Sequence, residues 1–588
     1  MNPWRSANAL RVLQARYLRR DAERNVIETP EALFRRVATA ITEAERPFGG
    51  AAAVEQWRAT FEAMMAAGDF LPNSPVLMNA GTPLGQLAAC FVLPVEDSME
   101  SIFDALKSMA LLQRAGGGTG FSFSALRPRG DVVGSTGGEA SGPVSFIRVF
   151  DAATENIKQG GRRRGANMGV LRVDHPDVLE FVEAKLDGRS LQNFNLSIGI
   201  TDAFMRAVEA AGAYDLVHPG RRQAMGRLPA REVFERIVQA ALACGDPGVL
   251  FLDAINRANP LPALGPIEAT NPCGEVPLRP WESCVLGSVN LAHVIAGGTL
   301  DWPRLRGLVH AGVRFLDDAI EVNRDPLPQV AAATRASRKI GLGVMGFAEC
   351  LLHLGVAYDS EAASAWADRL AGFIAAEARA ASRRLAEERG VFPDWSQSAY
   401  ATTGERVRNA TRLSIAPTGT ISIIAGTSGG IEPLFALAYR RQHTLGGEPM
   451  AEINPILLRH AKGLGLDVAG LLAHVGATGR LGVLPGVPEA ARRLFVTATE
   501  IPVRRHLAIQ QAFQRHVDNA VSKTINLPVD AGADRVAETY LEGWRLGLKG
   551  VTVYRTGSRS DEVLTLGLDE PVEARELFAK CDPGACRL

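Results

Sequence analysis

The sequence predicts a mainly parallel α/β fold organised as one large unit. From about residue 66 to about 560, short apolar runs alternate with helical stretches, and Gly-rich turns separate them. The chain has 588 residues, against about 150 for an ordinary domain, and a large α/β barrel is the usual way for so long a chain to form a single unit. No repeat with a period of about 20–50 residues is visible, which argues against a solenoid.

The elements follow in order. Residues 1–65 read as a helical lead-in: Leu10, Val12, Leu13 and Leu18 mark one helix, and Thr29-Pro30 reads as the cap and first position of a second, running through Phe34 and Val37. Asp97 and Glu100 stand at capping-box spacing, so a helix is expected from there to the Gly116-Gly117-Gly118 stop. Helices are also expected over 143–158, 175–185 and 362–389, the last ended by Gly390, with strands over 168–173 and 193–200. The expected domains are a lead-in over 1–65, a catalytic α/β unit over 66–560 and a mobile tail over 561–588.

Charge narrows the function classes. Lys+Arg and Asp+Glu both total 64, which argues against a nucleic-acid coat and against a membrane-surface protein. The N-terminus has Arg and Asp every few residues and no signal-peptide apolar core. The weakly charged stretch 412–440 is rich in Gly, Ser, Thr and Pro and reads as a buried loop and helix rather than a bilayer span. A cytoplasmic protein is expected, with no membrane and no nucleic-acid partner.

The seven Cys are too few for a disulfide-stapled scaffold, and no CxxC or HExxH occurs, which argues against the common metal sites. Cys244 and Cys350 sit in helical patterns and read as core. Cys90 and Cys284 each open an apolar run and, taken alone, also read as core. Cys581 and Cys586 lie in an acidic tail, where burial does not account for them. In Asn271-Pro272-Cys273-Gly274-Glu275 an amide, a thiol and a carboxylate fall on alternate residues, so an extended loop would put all three on one side. A neighbouring carboxylate disfavours a thiolate, but a neutral thiol used for hydrogen-atom transfer tolerates it; a turn that happens to contain Cys is the other reading. Pro417-Thr418-Gly419-Thr420-Ile421-Ser422 offers hydroxyls and backbone N–H groups ahead of an apolar segment, as an anion cradle would, although plain turns share that composition. Arg162-Arg163-Arg164-Gly165-Ala166-Asn167 is a basic, Gly-flanked loop, and composition alone makes it a solvated charge run.

Together, NPCGE, PTGTIS, FLPNSPVLMNAG (70–81), AACFVLPVEDSMESI (88–102), RAGGGTGFSFSALRPRG (114–130) and IKQGGRRRGANMG (157–169) resemble the catalytic subunit of ribonucleotide reductase, in that family's order and over about 65–560. The resemblance implies a ten-stranded α/β barrel, two five-stranded parallel halves running antiparallel to each other, with a central finger loop carrying Cys273. It implies that Cys273 is the radical thiol, Glu275 a general base on the ribose 3′-OH, Asn271 a group that orients the sugar, and Cys90 with Cys284 the reducing pair that ends as a disulfide. Cys581 and Cys586 would re-reduce that pair and pass the oxidation to a thioredoxin- or glutaredoxin-like partner. Substrate phosphates would lie on Pro417, Thr418, Gly419, Thr420, Ile421 and Ser422, near Ser74, Ala89 and Gly118. Asp97, Ser98, Met99 and Arg127 match a deoxynucleotide or ATP effector site, and the loop Arg163, Arg164, Gly165, Ala166, Asn167 would link effector to substrate choice.

The segment 548–559 holds one tyrosine, Tyr554, and no Tyr-Tyr pair, and the chain has no glycyl-radical signature. The resemblance then points to the adenosylcobalamin-dependent class acting on ribonucleoside diphosphates as a homodimer. The alternative is a large subunit that needs a separate metal radical subunit. About 65 residues precede the barrel, too few and too unlike for the regulatory ATP cone, so specificity control without an overall activity switch is expected. The tail cysteines are spaced C-x4-C, wider than CxxC.

Overall fold

The computed structural model describes residues 4, 6–134, 137–159, 163–445, 448–558 and 564–568. Its centre is a closed barrel. Strands β2 (Cys90–Leu93), β3 (Gly118–Ser122), β4 (Asn167–Arg172), β5 (Phe194–Ile200) and β6 (Gly248–Phe251) form one parallel half. Strands β7 (Ser283–Asn290), β8 (Ile340–Met345), β9 (Thr524–Leu527) and β10 (Gly550–Arg555) belong to the other half, with β7–β8 and β9–β10 parallel. Its fifth member is residues 411–415, bonded to β8 through Leu342↔Leu413 and to the chain before β9 through Ile415↔Val521, both parallel. The halves meet through antiparallel pairs, β7 on β2 and β10 on β6. An eleventh strand, β1 (Phe70–Pro72), adds antiparallel to the far end of β7.

The strands are apolar along most of their length because both faces are covered. On β7, Val285 and Val289 face the outer core under the helices, whereas Cys284 and Leu286 face a small inner core with Val92, Met168, Val170 and Leu250. That inner core closes on a two-strand hairpin, Ala269–Thr270 paired with Pro277–Leu278, which runs up the barrel axis. The hairpin fits because β3 carries Gly at the crossing: a Cβ on Gly120 would lie 1.7 Å from the Thr270 carbonyl oxygen.

The lead-in holds helices α1 (Ala7–Arg16), α2 (Pro30–Thr42) and α3 (Arg46–Ala66), the third kinked at Gly50. Thr29 caps α2 and Pro30 opens it, as the sequence predicts. Phe61 of α3 packs edge-on against Phe315, which also meets Phe70 of β1, so the lead-in is fixed to the barrel wall. Helix α4 (Met99–Arg114) begins after Asp97, but its cap is Ser98, whose hydroxyl accepts from the Ser101 N–H; Asp97 instead takes the backbone and guanidinium N–H groups of Arg127. The expected 143–158 helix ends earlier, as α5 (Pro143–Glu155), because Lys158–Gln159 pairs with Arg163–Arg164. The 175–185 helix shrinks to Val178–Glu183. Among the described residues, no helix is long and apolar enough to cross a membrane.

Candidate active site

Residues Asn271–Glu275 form the tip of the axial hairpin. The tip is a tight turn rather than an extended run: Gly274 takes φ +81° and donates its N–H to the Asn271 carbonyl. The turn is tied down on three sides. Ser414 Oγ (2.8 Å) and the Ala520 N–H (2.9 Å) donate to the Glu275 carbonyl, and Asn195 Nδ2 donates to the Pro272 carbonyl at 2.9 Å. Cys273 is left exposed at the tip, while Asn271 and Glu275 on either side are buried. All three still line one cavity of about 320 Å³.

The same cavity is lined by Cys90, Ser74, Ala89, Gly118, Ala166 and by Pro417 to Ile421. Asn271 Nδ2 lies 3.2 Å from Cys90 Sγ, and Cys90 Sγ lies 4.0 Å from Glu275 Oε1. Cys90 and Cys284 are directly opposed across the antiparallel β2–β7 junction. Cys90 reaches the cavity, and Cys284 sits behind it, fully buried. The five described cysteines, Cys90, Cys244, Cys273, Cys284 and Cys350, are not disulfide-bonded.

Electrostatics follow from burial. Glu275 is raised to about 7, chiefly because its carboxylate is desolvated, and Oε2 has no hydrogen-bond partner. Cys90 is pushed well up, first by burial and then by Glu275. The Cys90 thiol therefore stays neutral, which suits proton donation better than thiolate attack.

The Pro417–Ile421 segment closes one end of the cavity. Thr418 holds φ +52°, and its hydroxyl accepts from the Gly430 N–H at 2.8 Å. Gly419 and Thr420 donate no backbone hydrogen bond among the described residues, so their N–H groups are available to an anion. Ser422 lies behind this wall, with its N–H on the Thr418 carbonyl. Two lead-in residues that sequence reasoning missed arrive at the same end: Tyr17 shares a hydrogen bond with Ser74 at 2.8 Å, and Arg16 donates to Thr420 Oγ1 at 3.3 Å. Consecutive polar residues at the end of an amphipathic helix were the available signal.

A second chamber of about 410 Å³ abuts the opposite side of the tip and shares Pro272, Cys273 and Pro417 with the first. Asn195, Ser197, Thr524, Asn526 and Tyr554 contribute to its lining. Cys273 therefore stands between two spaces that can each take a nucleoside-sized group.

The chain is similar to known proteins over most of its length. Residues 88–407 and 403–554 match the family model "Ribonucleotide reductase, barrel domain", and residues 4–85 match "Ribonucleotide reductase, all-alpha domain". The chain belongs to the ribonucleotide reductase family. It is 51% identical over 585 residues to a vitamin B12-dependent ribonucleoside-diphosphate reductase of Mycobacterium tuberculosis (strain CDC 1551 / Oshkosh), covering 99% of this chain and 84% of that one. It is 45% identical over 625 residues to the Thermoplasma acidophilum protein of the same name, covering 97% and 81%. In fold it resembles the Actinobacillus ureae class Id ribonucleotide reductase alpha subunit, with TM-score 0.77 and 23% identity over 94% of this chain and 98% of that one.

The remaining reductase positions fall as follows. Asp97, Ser98, Met99 and Arg127 form one surface cluster around the Asp97–Arg127 ion pair of 2.8 Å. Arg163 and Arg164 lie in the short Lys158–Arg164 ladder. Gly165 packs close to Gln113 and Thr154, Ala166 reaches the cavity wall, and Asn167 is buried among Gln113, Thr119 and Thr154 at 2.6–2.8 Å. Cys350 is core, whereas Cys244 is half-buried at a helix end, because the chain turns there at Gly245. Cys581 and Cys586 lie outside the described residues.

Proposed function

We propose that this chain is the catalytic chain of an adenosylcobalamin-dependent ribonucleoside-diphosphate reductase. The observation that carries the reading is the finger-loop geometry: one exposed thiol at the tip, flanked by Asn271 and Glu275, faces Cys90 and the Pro417–Ile421 cradle in a single cavity. Relatives at 45–51% identity are named vitamin B12-dependent, which favours this reading over a large subunit served by a separate radical protein.

The coenzyme would sit with its nucleoside end in the second chamber, whose amides and hydroxyls from Asn195, Ser197, Thr524 and Asn526 suit such a group. It supplies an acceptor for the hydrogen atom of the Cys273 thiol. On the other side of the tip, the Cys273 sulfur takes the ribose 3′ hydrogen atom. Glu275, raised to about 7 by burial, accepts the 3′-OH proton. Asn271 orients the sugar. Cys90, the member of the pair that lines the cavity, gives a proton to the departing 2′-OH, which leaves as water. Cys90 and Cys284 together supply two electrons and close as a disulfide, the second thiol hydrogen of the pair going to C2′; Glu275 gives its proton back to the 3′ oxygen, and Cys273 returns its hydrogen atom to C3′. Holding the diphosphate on the Gly419 and Thr420 N–H groups fixes C3′ near the tip.

The working parts are the lead-in over 1–65, the barrel over 66–560 and the redox tail over 561–588. The tail pair Cys581 and Cys586 re-reduces the pocket disulfide and exchanges with a thioredoxin- or glutaredoxin-like protein. Deoxynucleotide and ATP effectors bind at Asp97, Ser98, Met99 and Arg127, and residues 163–167 pass the signal to the cavity wall at Ala166. A homodimer is supported by Met99 and Phe103 of α4 and Val149 of α5, which are 55%, 47% and 39% exposed. The protein works in the cytoplasm.

Reduction of CDP or ADP with adenosylcobalamin and dithiothreitol alone tests the reading; no turnover without a second subunit would overturn it. The double variant Cys581→Ser, Cys586→Ser is expected to lose thioredoxin-driven turnover and keep turnover with dithiothreitol. Equal loss with both reductants would remove the tail from the mechanism.

A further inference from the structure

The proposed mechanism leaves Cys90 and Cys284 joined as one disulfide, and the barrel surrounds the two sulfurs differently. Cys90 lines the cavity and has the Glu275 carboxyl 4.0 Å away. Cys284 is fully buried and has a cation beside it. In the parallel β7–β8 ladder Val285 pairs with Ile340, so Lys339 is the next lateral neighbour of Cys284. Both side chains face the barrel interior: a Cβ on Gly341, two residues after Lys339, would lie 3.5 Å from Cys284 Sγ. Cys90, Cys284 and Lys339 thus form one row across three strands.

Lys339 is the cation that acts on Cys284, set against the Glu282 and Glu275 carboxylates. Glu282, two residues before Cys284 and on the same face, accepts from Lys339 Nζ at 2.6 Å and from the Arg279 guanidinium at 2.7 Å. One carboxylate faces two cations, and Lys339 and Glu282 are 0% and 1% exposed. Glu282 takes one of the three ammonium protons of Lys339. Burial pushes both thiols up and Glu275 pushes both further, but Cys284 alone has a cation, Lys339, that pulls it back against Glu275 and Glu282.

Resting on the reading of Cys90 and Cys284 as the redox pair, we infer that Lys339 is a positioning residue that makes re-reduction of the pocket disulfide directional. An incoming thiolate attacks Cys90, the only one of the two sulfurs on the cavity wall. Its electron pair forms the new S–S bond, the Cys90–Cys284 bond breaks, and that bond's electron pair stays on Cys284 as a thiolate beside Lys339. The second thiol of the reductant then closes on its own partner sulfur, expelling Cys90. The two protons of the reducing dithiol end on Cys284 and Cys90, and the reductant leaves as a disulfide. A leaving thiolate that is electrostatically stabilised departs faster.

The test needs neither coenzyme nor nucleotide. In the Cys581→Ser, Cys586→Ser chain, the pocket disulfide is formed with diamide and treated with cysteamine, and the adduct is mapped by peptide mass spectrometry. The adduct is expected on Cys90. Reduction by dithiothreitol is expected to be about tenfold slower in Lys339→Gln and within about threefold of the parent in Lys339→Arg. An adduct on Cys284, or an unchanged rate in Lys339→Gln, would overturn the inference; the adduct position is read without any change at Lys339, so it decides even where that variant fails to fold. Failure of the parent chain to form the disulfide would overturn the pairing itself, and this inference with it.

Discussion

Glu275 and Asp317 are both buried carboxylates, at 2% and 0% exposure, and their surroundings treat them in opposite ways. Asp317 lies in α6 (Trp302–Val322) under the barrel wall and accepts from Arg338, Arg389, Arg408 and Asn409 at 2.8–3.4 Å. Burial alone would raise it, but the three guanidinium groups outweigh that and hold it below the usual carboxylate range. Among the described residues no cation acts on Glu275 and one of its oxygens has no partner, and burial raises it to about 7. Asp318, next to Asp317, is raised too, first by burial, but it keeps a 2.6 Å ion pair with Arg389 and a hydrogen bond with Glu45. At Asp317 the barrel surrounds a buried charge with three cations, even though Oδ2 of the adjacent Asp318 has no partner among the described residues. At the finger tip it leaves the charge unsatisfied, and an unsatisfied carboxyl is available to take a proton from a substrate.

Substitutions that separate the two regions sharpen this contrast. The largest effect is expected at the tip. Cys273→Ser removes the sulfur that stands between the two chambers, so turnover should vanish while nucleotide binding stays within about threefold by equilibrium dialysis. Residual turnover would end the radical assignment. Glu275→Gln keeps shape and removes the base, and kcat is expected to fall by about 10²–10⁴. In the other region, Asp317→Asn strands three arginines. It is expected to cost about 3–5 kcal/mol of stability, read as a lowered Tm, with kcat per folded chain unchanged. A kcat loss without a Tm loss at Asp317 would erase the distinction.

The two regions were not equally legible in the sequence. The finger was, because its chemistry is packed into five consecutive residues, Asn271 to Glu275, and the turn that presents them needs the Pro and Gly found there. The reason given for it was partly wrong: the three side chains line one cavity because of a tight turn at Gly274, not because the loop is extended. Met99–Arg114 was legible as a helix, but its cap moved from Asp97 to Ser98, since the Asp97 carboxylate finds a guanidinium 30 residues away at Arg127. The strand over 411–415 was too short to read: its alternation runs only over Arg412-Leu413-Ser414-Ile415, and it pairs through isolated bridges. The ion cluster was hidden because its members come from α6, Arg338 at the end of the Pro328–Ser337 helix, the Arg389 end of α7 (Glu361–Arg389) and the chain at Arg408. Only adjacent Asp317 and Asp318 on the otherwise apolar buried face of that helix hinted at it. Lys339 beside Cys284 left no trace, since 55 residues separate two neighbours that meet only through strand pairing.

The smallest expected effect is also the most direct test of the contrast, because it asks for a gain. A carboxyl that titrates near 7 when folded and near 4.5 when unfolded binds its proton more tightly in the native state. The stability it lends is fully present below about 4.5 and is lost as pH rises through 7, where ionised Glu275 must be held in a buried site with one oxygen unpartnered among the described residues. Gln carries no such cost at any pH. Glu275→Gln should therefore raise the Tm at pH 8, by the equivalent of at most about 3 kcal/mol, and the gain should shrink steadily as the pH falls toward 4.5. Asp317→Asn should show the opposite sign, its loss being greatest at neutral pH and fading in acid, because a depressed carboxylate gives up its stabilisation as it protonates. If both variants lowered the Tm at pH 8 by similar amounts, Glu275 would be paired in solution like any other buried carboxylate, and its assignment as the base would lose its physical ground.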